Sequence, residues 1–248
     1  MLFRPFPGIF PGGFDLNDPR RHTWDVNIAE AMEIQRALAG LVQRSGRLEN
    51  PRFVAGCDAA FTDGGACIVG ALVLLSFPEL EILERRTLKE DVHMPYVPGL
   101  LSFREAPVLE RLLLSLPQKP DFIMFDGHGY SHPRRLGLAC HLGVRLGIPS
   151  VGVAKSILTG RIENEAGMAR GSRSWLIDAR SGERLAAVLR TRDGVRPLYV
   201  SVGHMLDIEE SVRLVLECGR GRRLPEPTRL ADALAAEAKR ADLRAAND

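Results

Sequence analysis

The chain is poor in cysteine: Cys57, Cys67, Cys140 and Cys218 are the only four in 248 residues, with neither a CxxC pair nor a metal-finger spacing. That arithmetic excludes a disulfide framework and a zinc finger, and leaves reduced, mostly buried thiols as the expectation. A continuous apolar run of about eighteen residues is also missing, which excludes a membrane-spanning helix. The first residues lack the apolar core of a secretory signal, and their prolines and glycines forbid a regular helix. Residues 1–23 are therefore expected to form an irregular arm, and a reducing cytoplasm is the expected setting. Net charge is scarce as well, 33 basic against 31 acidic residues. Any nucleic-acid binding must then come from local clusters. The candidates are Arg134 with Arg135, Arg190 with Arg192 and Arg196, and Arg220 with Arg222 and Arg223. Internal repeats are absent.

What is present suits an enzyme. A hydrophobic share of 45% is enough for a substantial core, and no composition break divides residues 24–248, so one domain is expected there. Apolar residues three or four apart predict a helix over 24–44. Two apolar runs over 53–61 and 66–77 flank Thr62, Asp63, Gly64 and Gly65, which predicts a hairpin, and a more charged run over 80–88 reads as an edge strand. Val108, Leu109, Leu112, Leu113 and Leu116 share one face of the next helix. Ser102 and Glu105 have capping-box spacing, but a start at Ser102 would put Pro107 in the second turn, so a start near Arg104 to Ala106 is expected.

Phe122 to Phe125 form a short apolar run that ends at Asp126, followed by two glycines and two histidines. That is a buried strand delivering a carboxylate into a loop, the place where ligands gather in open α/β sheets. A helix and a further strand ending at Lys155 follow, a crossover with a parallel pair. The fold class is thus α/β, a mixed β-sheet flanked by helices. Short strands near 175–178, 184–189 and 198–202 and helices over 208–218 and 228–244 complete the chain.

Three carboxylates from separate elements stand out: Asp58 inside the first strand, Glu105 at a helix mouth and Asp126 at a strand end. Crowded together they would raise one another's pKa unless a cation intervened, and hard oxygen donors suit Mg²⁺, with Mn²⁺ as a substitute. Such a centre activates water against a phosphodiester. Lys155 at a strand end is a candidate to stabilise developing phosphate charge, and His204, between a strand and a helix, is a candidate for a metal or substrate role. His128 and His132 are four apart, but Gly127, Gly129 and Pro133 argue against the helix that a zinc pair would need.

The segments GCDAAF, MPYVPGLLSFRE, FDGHGYSHPRRLGLACHLG, VGVAKS, SVGHMLD and RLPEPTRLAD occur in the order that marks endonuclease V, and the resemblance spans nearly all of residues 24–236. It implies a ribonuclease H-like fold, with Asp58, Glu105 and Asp126 holding the metal and Lys155 and His204 assisting. It also implies that Pro95, Tyr96, Val97 and Pro98 act as a wedge in DNA. Gly99, Leu101, Gly127, Gly129 and His132 match the pocket for a turned-out base. The implied activity is that of a DNA repair endonuclease, a deoxyribonuclease V. It would act on deoxyinosine in single- or double-stranded DNA and hydrolyse the second phosphodiester on the 3′ side, leaving 3′-hydroxyl and 5′-phosphate ends. An inosine-directed ribonuclease or a broader structure-specific nuclease on the same metal site is the alternative. Arg134 and Arg135 are assigned to phosphate contacts from charge and place, and the chain is expected to act as a monomer.

Overall fold

The computed structural model describes residues 18–245, so most of the predicted N-terminal arm lies outside the described residues. A nine-stranded sheet forms the centre. It comprises β1 (Phe53–Thr62), β2 (Cys67–Ser76), β3 (Ile82–Asp91), β4 (Phe122–Phe125) and β5 (Ser150–Ala154). The others are β6 (Arg161–Ile162), β7 (Arg173–Ile177), β8 (Arg184–Leu189) and β9 (Leu198–His204). Their order is β3-β2-β1-β4-β5-β9-β8-β7-β6. Only β1, β4 and β5 run parallel to their neighbours in this row; the pairs on either side are antiparallel. The predicted hairpin is present, its turn a short 3-10 segment, and the charged β3 is an edge strand. The return to antiparallel pairing after β5 goes beyond the expected change from antiparallel to parallel.

Helices cover both faces. On one, α2 (Ser102–Leu114) and α3 (Leu138–Leu146) pack against Ala55, Cys57, Leu72 and Leu74; on the other, α4 (Ile208–Glu217) and α5 (Glu226–Ala245) cover Val54, Val73, Met124 and Val153. The alternation within β1 is the reason: residues 55 and 57 look one way, 54, 56 and 58 the other. Asp58 therefore lies on the α5 face. The first helix, α1 (Ile28–Ala39), is shorter than its apolar pattern suggested: it starts only at Ile28, where Asn27 and Glu30 close a capping box, and it stops before Gly40.

The start of α2 departs from expectation. The helix begins at Ser102 and carries Pro107 in its interior. Ser102 does not cap it; its hydroxyl lies 3.0 Å from Nδ1 of the buried His141. Phe103 is buried beside Met94 and Leu100. Burial of that first turn overrides the local penalty of proline, and it places Glu105 one turn into the helix.

Candidate active site

The ladder between β1 and β4 builds the site. Their parallel register pairs Cys57 with Phe125, and the Asp126 amide donates to the Cys57 carbonyl at 3.1 Å. Asp58 and Asp126 are the next residues on each strand, so adjacent strands deliver two carboxylates side by side. A third comes from α5: one carboxylate oxygen each from Asp58, Asp126 and Asp232 all lie within 4.8 Å of one another. Close docking of α5 explains this. A methyl group on Gly56 would collide with the Pro227 carbonyl, so the helix start rests directly on β1.

Electrostatics mark the site as short of positive charge. Burial, then the charge of Asp126, pushes the Asp58 carboxyl up to about 7. Burial, then Asp58 and Asp126, pushes Glu105 up to about 8, which puts this helix-borne carboxylate in the same electrostatic cluster. Burial raises Asp126 too, against the opposing Lys155. The Lys155 ammonium bridges Asp126 at 2.6 Å and Asp232 at 2.8 Å. Burial opposes its charge, but those two contacts outweigh that effect and raise its pKa. One ammonium does not balance four carboxyl groups. Converging hard oxygen donors with surplus negative charge fit a divalent cation that keeps part of its water shell. Asp58, Asp126 and Asp232 are the residues placed to hold it, with Glu105 beside them.

A cavity of about 220 Å³ adjoins Glu105. The predicted pocket residues Gly99, Leu101, Gly127 and His132 line it, together with Tyr96, Val97 and Pro98 from the predicted wedge. His132 is buried, and its Nε2 lies 3.1 Å from the Gly99 carbonyl. Burial, then Arg134, lowers its pKa to about 4, so the imidazole is neutral near pH 7. Tyr96 stands out from the surface, 74% exposed. His128, weighed in the sequence only as half of a zinc pair, also lines the cavity, as do Leu138 and Leu158, which no spacing distinguished from packing residues.

Four predicted residues are placed elsewhere or otherwise engaged. His204 is paired with Ser150, at the opposite end of β5 from Lys155; five residues of strand separate the two, about 16 Å. Its Nδ1 accepts the Gln43 amide in a separate cleft. Because β9 runs antiparallel to β5, its end points away from the carboxylates. Gly129 is buried, with a Cβ excluded by the Val202 carbonyl, and is absent from the cavity lining. Arg135 is paired with Asp178 and Glu183. Arg134 donates to Gln35 and the Gly99 carbonyl. Both guanidiniums are thus tied within the protein, and Arg134 braces the cavity wall. Asp232 is the site residue that sequence reasoning missed. It closes the RLPEPTRLAD segment, yet on local pattern it is one more acid on a surface helix.

Carboxylates for a divalent ion, an adjoining cavity sized for a flat ring and an α/β sheet of ribonuclease H-like arrangement define a metal-dependent nuclease. The endonuclease V family model matches residues 36–233, and the chain belongs to that family. It is 46% identical over 212 residues to endonuclease V of Gloeobacter violaceus, covering 85% of each chain. Among solved structures, endonuclease V of Streptomyces avermitilis superposes with a TM-score of 0.82 at 38% identity, covering 91% of this chain and 96% of that one. Ciona intestinalis endonuclease V, solved with a 23mer DNA containing an inosine followed by a ribo-adenosine, gives 0.77 at 28%, covering 86% and 97%.

Proposed function

We propose that this protein is a DNA repair endonuclease that recognises deoxyinosine and hydrolyses the second phosphodiester on its 3′ side, with Mg²⁺ as the working ion. The observation that carries the reading is the junction of carboxylate cluster and cavity: Glu105 belongs electrostatically to the first and lines the second. A base held in the cavity brings a neighbouring phosphate of its own strand towards the carboxylates. The Ciona relative, solved on inosine-containing DNA, supports the choice of base.

A divalent ion bound there would supply Lewis acidity and an activated water. The chain's own residues do the rest. Asp58, Asp126 and Asp232 provide the anionic seat, and the Lys155 ammonium stands at the same seat to offset charge developing on the phosphate. Tyr96, stiffened by Pro95 and Pro98, offers a flat face to fill the gap left by an extruded base. Hypoxanthine lacks the exocyclic amine of guanine, so a close-fitting cavity rejects guanine by clash and unmet hydrogen bonds. Arg134 supports that selection by holding Gly99 and His132 in place. Four free thiols, among them the buried Cys57, Cys140 and Cys218, suit a reducing cytoplasm. Among the described residues no helix is long and apolar enough to cross a membrane.

The test is an end-labelled duplex with a single deoxyinosine, incubated with Mg²⁺ or EDTA. A Mg²⁺-dependent nick at the second phosphodiester on the 3′ side, lost in Asp126→Asn, is expected; cutting indifferent to inosine would sink the reading. The ribo-adenosine beside the inosine in the Ciona complex makes a matched inosine-containing RNA the necessary comparison, since faster cutting of RNA would move the substrate class.

A further inference from the structure

A second depression of about 880 Å³, with Lys155 in its wall, opens between the segment after β5 and the turn from β8 to β9. Ser156 and Ile157 line this groove, whereas Leu158 lines the base cavity. Residues 155–158 are therefore the ridge between the two. Lys155 lines the groove while gripping Asp126 and Asp232, and Glu105 lines the base cavity, so each depression borders the carboxylate cluster through one of its own lining residues.

Three arginines line the groove, and they are spent differently. Arg190 donates to the carbonyls of Gly167, Ala166 and Val195 and so builds the wall. Arg223 donates only to carbonyls, those of Arg196, Pro197 and Lys155. Burial, then the charge of Arg196, lowers its pKa, and it feels the charge of Asp126. Arg196 is exposed. Among the described residues no carboxylate pairs with Arg196 or Arg223, although Arg44, Arg135, Arg145, Arg213 and Arg229 all have acid partners. One acid, Glu165, shares the lining. Two neighbouring guanidiniums without a counter-ion repel each other, and an anion between them relieves that repulsion. Tyr199 adds a ring to the same wall.

We propose that this groove holds the DNA strand on the side of the cut away from the turned-out base, with Arg196 and Arg223 on its phosphates and Tyr199 against a base. The proposal rests on the function given above, which places the lesion in the cavity and the cut at the carboxylates. Phosphate contacts of this kind strengthen binding without reading sequence. Flat rings on such a path accept any base. Arg196 and Arg223 come from two of the arginine clusters visible in the sequence, and the fold brings them to one groove.

The test measures binding by fluorescence anisotropy, with Ca²⁺ in place of Mg²⁺, of single strands carrying one inosine. The arm beyond the cut, the 3′ arm if the proposed cleavage position holds, is either about two or about ten nucleotides long. Matched strands with adenine at the lesion, and a series lengthened on the 5′ side, run in parallel. Lengthening the arm beyond the cut should tighten binding about tenfold in the natural protein, as expected of one or two added phosphate contacts and a stacked base. In Arg196→Glu the ratio between long and short strands should collapse to near one, and Arg196→Lys should keep it. The slope of log Kd against log salt on the long strand should fall by about 0.7 for each phosphate that is no longer held. A ratio in Arg196→Glu equal to that of the natural protein, or no arm-length gain in the natural protein, overturns the proposal. Equal binding of inosine and adenine strands would instead overturn the lesion reading and leave the arm-length ratio interpretable. Thermal melting of each variant separates a weakened grip on the strand from a weakened fold.

Discussion

Gly56 lies directly against the Pro227 carbonyl, with no room for a methyl group between strand and helix. This contact sets how deeply α5 sits on β1, and so where Asp232 stands relative to Asp58. In Gly56→Ala the helix must lift. Overpacking of this kind costs about 1–3 kcal/mol or more, so a lower Tm is expected. Metal affinity, read by calorimetry, should fall further than in a variant of another α5 residue such as Ala233→Ser. Unchanged metal binding would show that the docking does not position Asp232.

Asp232 and His204 make opposite predictions. Asp232→Asn should remove metal-dependent cutting by more than the roughly 10–100-fold typical of residues that only support a ligand. His204→Ala should cut within about twofold of the natural rate while melting at a lower temperature, because losing a buried hydrogen-bond acceptor costs about 1–3 kcal/mol. Single-turnover cleavage and thermal melting on both variants check the pair. Loss of cutting in a well-folded His204→Ala protein would return that histidine to the mechanism.

The metal-free protein should lose stability as pH rises. The folded-state carboxyls of Asp58, about 7, and Glu105, about 8, lie above their ordinary values of 3.8 and 4.5. The folded state therefore holds protons that the unfolded state has released. Their contribution is full below about pH 4 and declines as pH rises through 7 to 8. Asp58→Asn should raise the stability of the metal-free protein at pH 8 by on the order of 2 kcal/mol, seen as an upward shift in denaturant midpoint. Added Mg²⁺ should stabilise the natural protein at that pH and have little effect on the variant. A flat pH profile without metal would contradict the crowding of these carboxyls.

Arg134→Ala distinguishes bracing from phosphate contact. Arg134 holds the Gly99 carbonyl at 2.7 Å, so its loss should loosen the cavity wall and reduce discrimination between inosine and adenine. The salt dependence of binding should stay as it was. A slope shallower by about 0.7–0.9 would instead place a phosphate at this arginine.

Tyr96→Ala should slow cutting of duplex more than of single-stranded substrate, because only the duplex needs a ring to replace the extruded base. A stacking contact of about 1–3 kcal/mol predicts roughly a tenfold selective loss, measured as the duplex to single-strand ratio of kcat/KM. Equal losses on both substrates would leave the wedge role without support.

Much of this molecule was determined by the sequence itself. The apolar runs specified the hairpin, the β4 and β5 strands and the amphipathic faces of α2 and α4, because helix and strand periods are written in adjacent residues. The same local pattern placed Asp126 at a strand end and Asp58 inside a strand. The tertiary structure decided which charged residues meet. Asp232 joins the site only because α5 crosses β1 over Gly56, a contact between distant segments. His204 is kept from it because β9 pairs antiparallel with β5. Arg134 and Arg135 turned inward to Gly99, Asp178 and Glu183, whereas Arg196 and Arg223, beside Lys155, form no ion pair among the described residues. Strand direction, helix docking depth and the choice of ion-pair partner are settled by non-local packing, and no stretch of neighbouring residues carries them.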